Sequence, residues 1–215
     1  MQGTRDMTQA ERMCLTTVAR ELHSQYRGVF GEETIQSLLF SSYADLAATA
    51  TVRNWLVIGA ERFARQRLQA LAHARIEATG RKPSVLFLCV HNAGRSQIAL
   101  GWFTHLAGDR AVAWSGGSEA AAHVNADAVT AMAEAGIDIS AEFPKRWTDE
   151  FLLAADVVIT MGCGDACPLL PGKRYEDWEI EDPDGKTLEE IRIIRDQIRD
   201  KVVHLLQSIE PATGR

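Results

Sequence analysis

The stretch SVLFLCVHNAGRSQIALGWF, Ser84 to Phe103, decides the fold. Val85 to Leu88 is an unbroken apolar run, the pattern of a strand buried on both faces. Gln97-Ile98-Ala99-Leu100-Gly101-Trp102-Phe103 reads as the start of a helix. Between them lies CVHNAGRS, Cys89 to Ser96, which places a thiol, five loop residues and an arginine at a strand-to-helix corner. If the loop curls, its N–H groups point inward, and the positive end of the helix reinforces an anion nest.

That corner is the candidate oxyanion cradle, formed by Val90, His91, Asn92, Ala93, Gly94 and Arg95. Gly94 allows a bend that a Cβ would crowd. Arg95 offers a planar fork to two oxygens of a phosphate-like ion, which a lysine cannot match. The same donors favour the thiolate of Cys89, the candidate nucleophile, and the Ser96 hydroxyl is placed to donate to it. His91 reads as a rim residue.

From this corner the chain extends outward as alternating strands and helices. Strands are predicted at 84–90, 111–115, 156–161 and 174–178, and helices at 96–107, 125–135, 148–154 and 187–208. Asn125 and Gly136 bracket one helix, and Thr187-Leu188-Glu189-Glu190 is a capping box opening another. The alternation predicts an α/β domain over 83–215: a four-stranded parallel sheet with helices on both faces. The cysteine loop then sits at a strand's carboxyl end, where open α/β sheets bind ligands.

Before it, residues 1–82 read as an all-α three-helix bundle. A capping box at Thr8-Gln9-Ala10-Glu11 opens the first helix, which ends near Gly28. Glu32-Glu33 opens the second, and the third spans about 52–78. Leu15, Val18, Leu22 and Tyr26 mark one inward face, Ile35, Leu39, Tyr43 and Leu46 another. Cys14 is expected in this core, and Arg62, Arg65, Arg67 and Arg75 on the third helix's exposed side. Thr79-Gly80-Arg81-Lys82-Pro83 is the linker.

A second cysteine cluster follows the apolar run Asp156 to Met161. It reads MGCGDACP, with Cys163 and Cys167 four residues apart, one helical turn, near the upper reach of a disulfide. Gly162, Gly164 and Pro168 suit a segment that changes conformation. Zinc binding would require two further ligands, and no second CxxC follows Cys89.

These motifs resemble the low-molecular-weight phosphotyrosine phosphatase superfamily (phosphatase I-like fold), and more closely its arsenate reductases, over about residues 84 to 210. Asn92 is similar to the loop asparagine of the reductase branch. The resemblance implies that Cys89 attacks arsenate, that Cys163 then attacks Cys89 and releases arsenite, and that Cys167 finally closes a disulfide with Cys163. Asp182-Pro183, in WEIEDPDGK, matches the family's aspartate–proline loop, making Asp182 the general acid. Asp184-Gly185 stands where the tyrosine phosphatases carry an aromatic residue, which weakens a phosphotyrosine reading. The implied reductant is external: thioredoxin, or alternatively mycothiol. A phosphatase-like hydrolase is the other alternative. Some reductases of the family hold potassium beside the loop; here Leu100 and Arg146 fall at two of its positions. A fixed cation at Arg146 predicts no bound metal.

Composition bounds the remaining possibilities. The 215 residues are 46% hydrophobic, enough for a real core. No apolar stretch nears the roughly 20 residues of a membrane span, and the first residues lack a signal-peptide run, so a cytoplasmic location is expected. Residues 1–82 carry 11 Lys+Arg against 8 Asp+Glu, residues 83–215 carry 12 against 21. The helical part is too weakly basic for a nucleic-acid footprint, and the acidic catalytic part leaves anion selectivity to the loop itself. Arsenate, or phosphate or sulfate mimicking it, is the expected ligand. A homodimer through the helical bundle is a further expectation.

Overall fold

The computed structural model describes residues 7–50, 53–77, 80–163 and 169–209. The chain forms two compact units, Met1–Ile76 and Glu77–Arg215.

The first unit contains three helices: α1 (Gln9–Gln25), α2 (Glu32–Ala47) and α3 (Leu56–Ala74). Leu15, Leu22, Ile35, Leu39, Tyr43, Ala60, Ala64 and Leu68 form its core. Two sequence expectations fail here for geometric reasons. Cys14 is exposed, because the adjacent Leu15, with Ala19 and Leu22, takes the inward face of α1. One residue further round the helix is a rotation of about 100°, enough to leave the stripe. Arg67 is only 8% exposed rather than solvated. Its Nη1 donates to the Leu38 carbonyl at 3.3 Å, Ser41 Oγ at 2.8 Å and Ser42 Oγ at 3.1 Å, so α2 supplies the polar partners that burial requires. The third helix also starts later than expected, after Trp55.

The capping box of α1 does more than close a helix. Glu11 accepts from the Thr8 N–H (2.7 Å) and hydroxyl (2.8 Å), and Arg53 Nη2 lies 3.4 Å from its Oε2. Arg53 also donates to the Tyr43 hydroxyl at 2.9 Å, joining α1, α2 and the approach to α3. The Thr8 backbone hydrogen bond, helped by the Thr8 hydroxyl, Tyr43 and Arg53, pulls Glu11 down from 4.5 to about 2. A depressed folded value means this stabilisation is complete above the unfolded 4.5 and disappears as pH falls towards 2. Glu11→Ala should cost about 1 kcal/mol at neutral pH. In acid titrations followed by circular dichroism, the gap between parent and variant should close between pH 4.5 and 2.

In the second unit the strands are β1 (Ser84–Cys89), β2 (Val112–Gly117), β3 (Val157–Met161) and β4 (Arg174–Asp177). All pairings are parallel, in the order β2-β1-β3-β4. Helices α4 (Arg95–Ala107), α5 (Ala126–Glu134), α6 (Asp149–Ala154) and α7 (Leu188–Ile209) connect and cover them. Every β1 residue is buried, as a central strand's apolar run requires. Val85, Phe87 and Cys89 face a core shared with Ile98 and Phe103 of α4 and with Ile194, Ile198 and Val202 of α7. Trp114 faces the opposite way and stacks on Phe151 of α6, with ring centroids 6.0 Å apart. The sheet is therefore helix-covered on both faces. Asn125 caps α5 by accepting from Ala128 N–H, and Thr187 with Glu190 closes the capping box at α7.

Register brings the chemistry together. Cys89 ends β1 opposite Gly117 of β2 and Met161 of β3. The chain runs from β1 to β2 on one side and then crosses from β2 to β3 on the other, so the crevice at the carboxyl end of β1 is open to a ligand.

Candidate active site

The loop after β1 turns its carbonyls outward one by one. The Cys89, Val90, His91 and Ala93 carbonyls accept from the N–H groups of Ser118, Glu119, Ala121 and Asn125, at 2.9–3.2 Å. The Asn92 carbonyl accepts from Gln97 Nε2 at 3.0 Å, and that of Gly94 from the first turn of α4. With the carbonyls satisfied outside, the planar peptides aim their N–H groups at the interior, which makes an anion nest. Asn92 takes the left-handed conformation, φ 49°, at the turn of the cradle.

Cys89 Sγ lies 2.9 Å from Ser96 Oγ and accepts from the Asn92 N–H at 3.2 Å. Asn92 Nδ2 donates to the same Ser96 oxygen at 2.9 Å. Ser96 Oγ thus stands between the Asn92 amide and the sulfur, where its one proton is available to a thiolate at Cys89. The Asn92 N–H and the Ser96 hydroxyl converge on Cys89, an arrangement that suits a thiolate.

Arg95, the first residue of α4, is buried. Its Nη2 is paired with Asp182 Oδ2 and its Nη1 donates to the Ile180 carbonyl at 3.3 Å. The Asp182 side chain remains 42% exposed, with its other oxygen accepting from Asp184 N–H at 3.1 Å. Cys89, Arg95 and Asp182 thus line one cavity of about 300 Å³, together with Gly94, His91 and His123. His91 is exposed at the rim.

Close backbone approaches explain why glycines surround this cavity. A Cβ on Gly94 would lie 2.2 Å from Pro183 Cγ, so the bare glycine lets the Asp182-Pro183 turn close over the loop. One on Gly162 (φ +76°) would lie 2.8 Å from Arg95 Nη1, and one on Gly117 would lie 2.5 Å from the Val90 carbonyl. Gly94→Ala should push the Asp182 turn outward and lower kcat about 100-fold, the usual consequence of a displacement near 1 Å. Alkylation of Cys89 by iodoacetamide should continue in that variant.

Cys163 follows Gly162 at the carboxyl end of β3 and is buried. The strand register puts this exit beside Cys89, with Gly162 against the Arg95 guanidinium. Cys167 lies outside the described residues.

The expectation for Arg146 is displaced by one position. Arg146 is exposed, whereas Lys145 is 1% exposed behind the loop. Gly117 N–H binds the Lys145 carbonyl at 2.9 Å and Trp147 N–H binds the Gly117 carbonyl at 3.1 Å, a bridge that alternates side chains across this segment. Lys145 therefore turns inward. Its N–H donates to Asn92 Oδ1 at 3.0 Å, and its Nζ sits 4.7 Å from the Phe143 ring centroid and 3.8 Å from Glu142 Oε2. Among the described residues no group of three or more His, Cys, Asp or Glu is arranged to hold a metal ion.

Sequence reasoning also missed Gly117, Gln97 and His123. The pair Gly116-Gly117 at a strand end was a readable sign of close approach. Gln97 carried only the weaker sign of a polar residue inside an apolar helical run.

Comparison with known proteins accords with this arrangement. The profile for low molecular weight phosphotyrosine protein phosphatase matches residues 84–213, and that for a protein-tyrosine-phosphatase-like N-terminal domain matches 15–72. The thioredoxin-dependent arsenate reductase Cg_ArsC1' of Corynebacterium glutamicum is 45% identical, with a TM-score of 0.82 over 91% of this chain and 96% of that one. The chain belongs to the low molecular weight phosphotyrosine protein phosphatase family, among its arsenate reductases. "Arsenate reductase 2" of Staphylococcus epidermidis is 39% identical over 56% of this chain and 94% of its own length. A solved arsenate reductase in the phosphate binding state is 34% identical, with a TM-score of 0.52 over 60% of this chain and 99% of that one. The helical unit thus has its counterpart in the C. glutamicum protein, whose match spans nearly the whole chain.

Proposed function

We propose that this protein reduces arsenate to arsenite through three thiols acting in order, with thioredoxin as the external reductant. The observation that carries the reading is the environment of Cys89: a sulfur that accepts from the Asn92 N–H and lies 2.9 Å from the Ser96 hydroxyl, inside an outward-facing carbonyl ring with Arg95 and Asp182 beside it. The C. glutamicum relative, described as thioredoxin-dependent, supports the choice of reductant.

In the first step the Cys89 thiolate forms a sulfur–arsenic bond while the loop amides and Arg95 hold the remaining oxygens. The departing As–OH group takes the Asp182 proton and leaves as water. The Cys163 thiolate then attacks Cys89 Sγ. A disulfide forms, the sulfur–arsenic electron pair stays on arsenic, and trivalent arsenite departs. Cys167 attacks Cys163, which frees the Cys89 thiolate and leaves a Cys163–Cys167 disulfide. Two electrons from reduced thioredoxin reopen it. Residues 83–215 are the proposed catalytic domain, preceded by a helical domain over 1–82.

The test is arsenite production from arsenate with thioredoxin, thioredoxin reductase and NADPH, run beside mycothiol with its redoxin. Turnover with thioredoxin supports the three-thiol order. Turnover with mycothiol alone, unaffected by loss of Cys163 and Cys167, would assign the chemistry to a low-molecular-weight thiol. Steady hydrolysis of an aryl phosphate without arsenite formation would make the protein a phosphatase.

A further inference from the structure

We infer that Gln97 is a positioning residue that sets the reactivity of Cys89 through a directed chain of hydrogen bonds. The inference deepens the proposed function, because it concerns the sulfur to which that reading assigns the attack.

Gln97 is fully buried in the first turn of α4. Its Nε2 faces three oxygens: the Asn92 carbonyl at 3.0 Å, Asn92 Oδ1 at 3.2 Å and the Phe143 carbonyl at 3.2 Å. Three acceptors around one atom fix which end of the amide is nitrogen. Its Oε1, also buried, has no hydrogen-bond partner among the described residues. A buried acceptor left without a partner is costly, so the side chain is held where its donor end is satisfied. Packing alone would favour an apolar residue here.

The consequence runs in one direction. Gln97 Nε2 and Lys145 N–H both bind Asn92 Oδ1, which fixes the rotation of the Asn92 amide. Its Nδ2 is thereby aimed at Ser96 Oγ, which lies 2.9 Å from Cys89 Sγ and has its one proton to give to a thiolate there. Gln97 touches neither the sulfur nor the cavity. It acts by holding Asn92 in its left-handed turn and by tying the loop to the segment at Phe143.

The test is the pH profile of iodoacetamide alkylation at Cys89, read by mass spectrometry of the Cys89 peptide. The other charged and titratable groups lining this cavity are Arg95 from α4, His91 from the loop, His123 from the 118–125 segment, and Asp182 and Asp184 from the turn before α7. Lys145 lies behind Asn92. All remain in Gln97→Met, which keeps length and volume but removes the donor. Alkylation near neutral pH should slow about tenfold, with the midpoint moved upward, as expected for one weakened hydrogen bond to a charged group. In a Ser96→Ala background, which breaks the side-chain relay, Gln97→Met should cost much less than in the parent, the remainder passing through the Asn92 N–H that also binds the sulfur. An unchanged profile in Gln97→Met, or a full additional loss in the Ser96→Ala background, would overturn the inference and leave Gln97 a packing residue. Gln97→Glu serves as the second variant should the methionine protein fail to fold. The readout requires no arsenate, so absence of arsenite production would reject the proposed function without touching this result.

Discussion

Cys163→Ser is expected to capture one arsenic per chain and then stop. The Ser96 hydroxyl and the Asn92 N–H meet Cys89 Sγ, and Arg95 lines the same cavity; all of them remain in the variant. Formation of the sulfur–arsenic bond should therefore proceed at close to the parent rate. Removing the arsenic as arsenite requires a thiolate to attack Cys89 Sγ, and serine is a far weaker nucleophile towards sulfur. Multiple turnover with thioredoxin should fall by a factor on the order of 10³ or more, the scale seen when a nucleophile is lost. Intact-mass measurement should show the arsenic adduct in the variant, displaced by added dithiothreitol. Undiminished turnover would remove Cys163 from the mechanism.

Asp182→Asn should move binding and catalysis in opposite directions. In the ligand-free protein the Asp182 carboxylate occupies the Arg95 guanidinium that an oxyanion needs. An entering dianion must displace it or share the fork. Asparagine removes that competitor, and with Asp182 substantially exposed the pair is worth about 1 kcal/mol at most. Phosphate, which binds without being reduced, should then bind up to about five-fold tighter by calorimetry. The same substitution removes the proton donor for the departing oxygen, so kcat should fall about 10²- to 10⁴-fold. A variant that loses rate and phosphate affinity together would mean that Asp182 organises the cavity and does not compete for Arg95. A variant with parent kcat would remove Asp182 as the general acid.

The corner from Ser84 to Phe103 was legible because each part obeys a local rule. A continuous apolar run makes a buried strand, five residues between thiol and arginine make a cradle, and an apolar run after Ser96 makes the covering helix. Asp182 was legible only through the family's aspartate–proline turn. Nothing in its neighbourhood reveals that the chain brings it across 87 positions to Arg95. Lys145 was missed for a related reason. Its inward direction comes from a single bridge to Gly117, and without that bridge no pattern distinguishes it from Arg146. Arg67 shows the limit of charge as a guide to exposure, since two serines and a carbonyl on α2 made burial affordable. Cys14 shows the angular limit of helical periodicity, one residue from the buried stripe.

Disulfide mapping in Cys167→Ser tests the central claim most directly. One equivalent of arsenate is added to the reduced protein without any reductant, and the peptides are analysed after acid quenching. The account predicts a Cys89–Cys163 linkage and one arsenite released per linked chain, because the third thiol that would resolve it is absent. Arsenite released while Cys89 and Cys163 both remain as free thiols would contradict it.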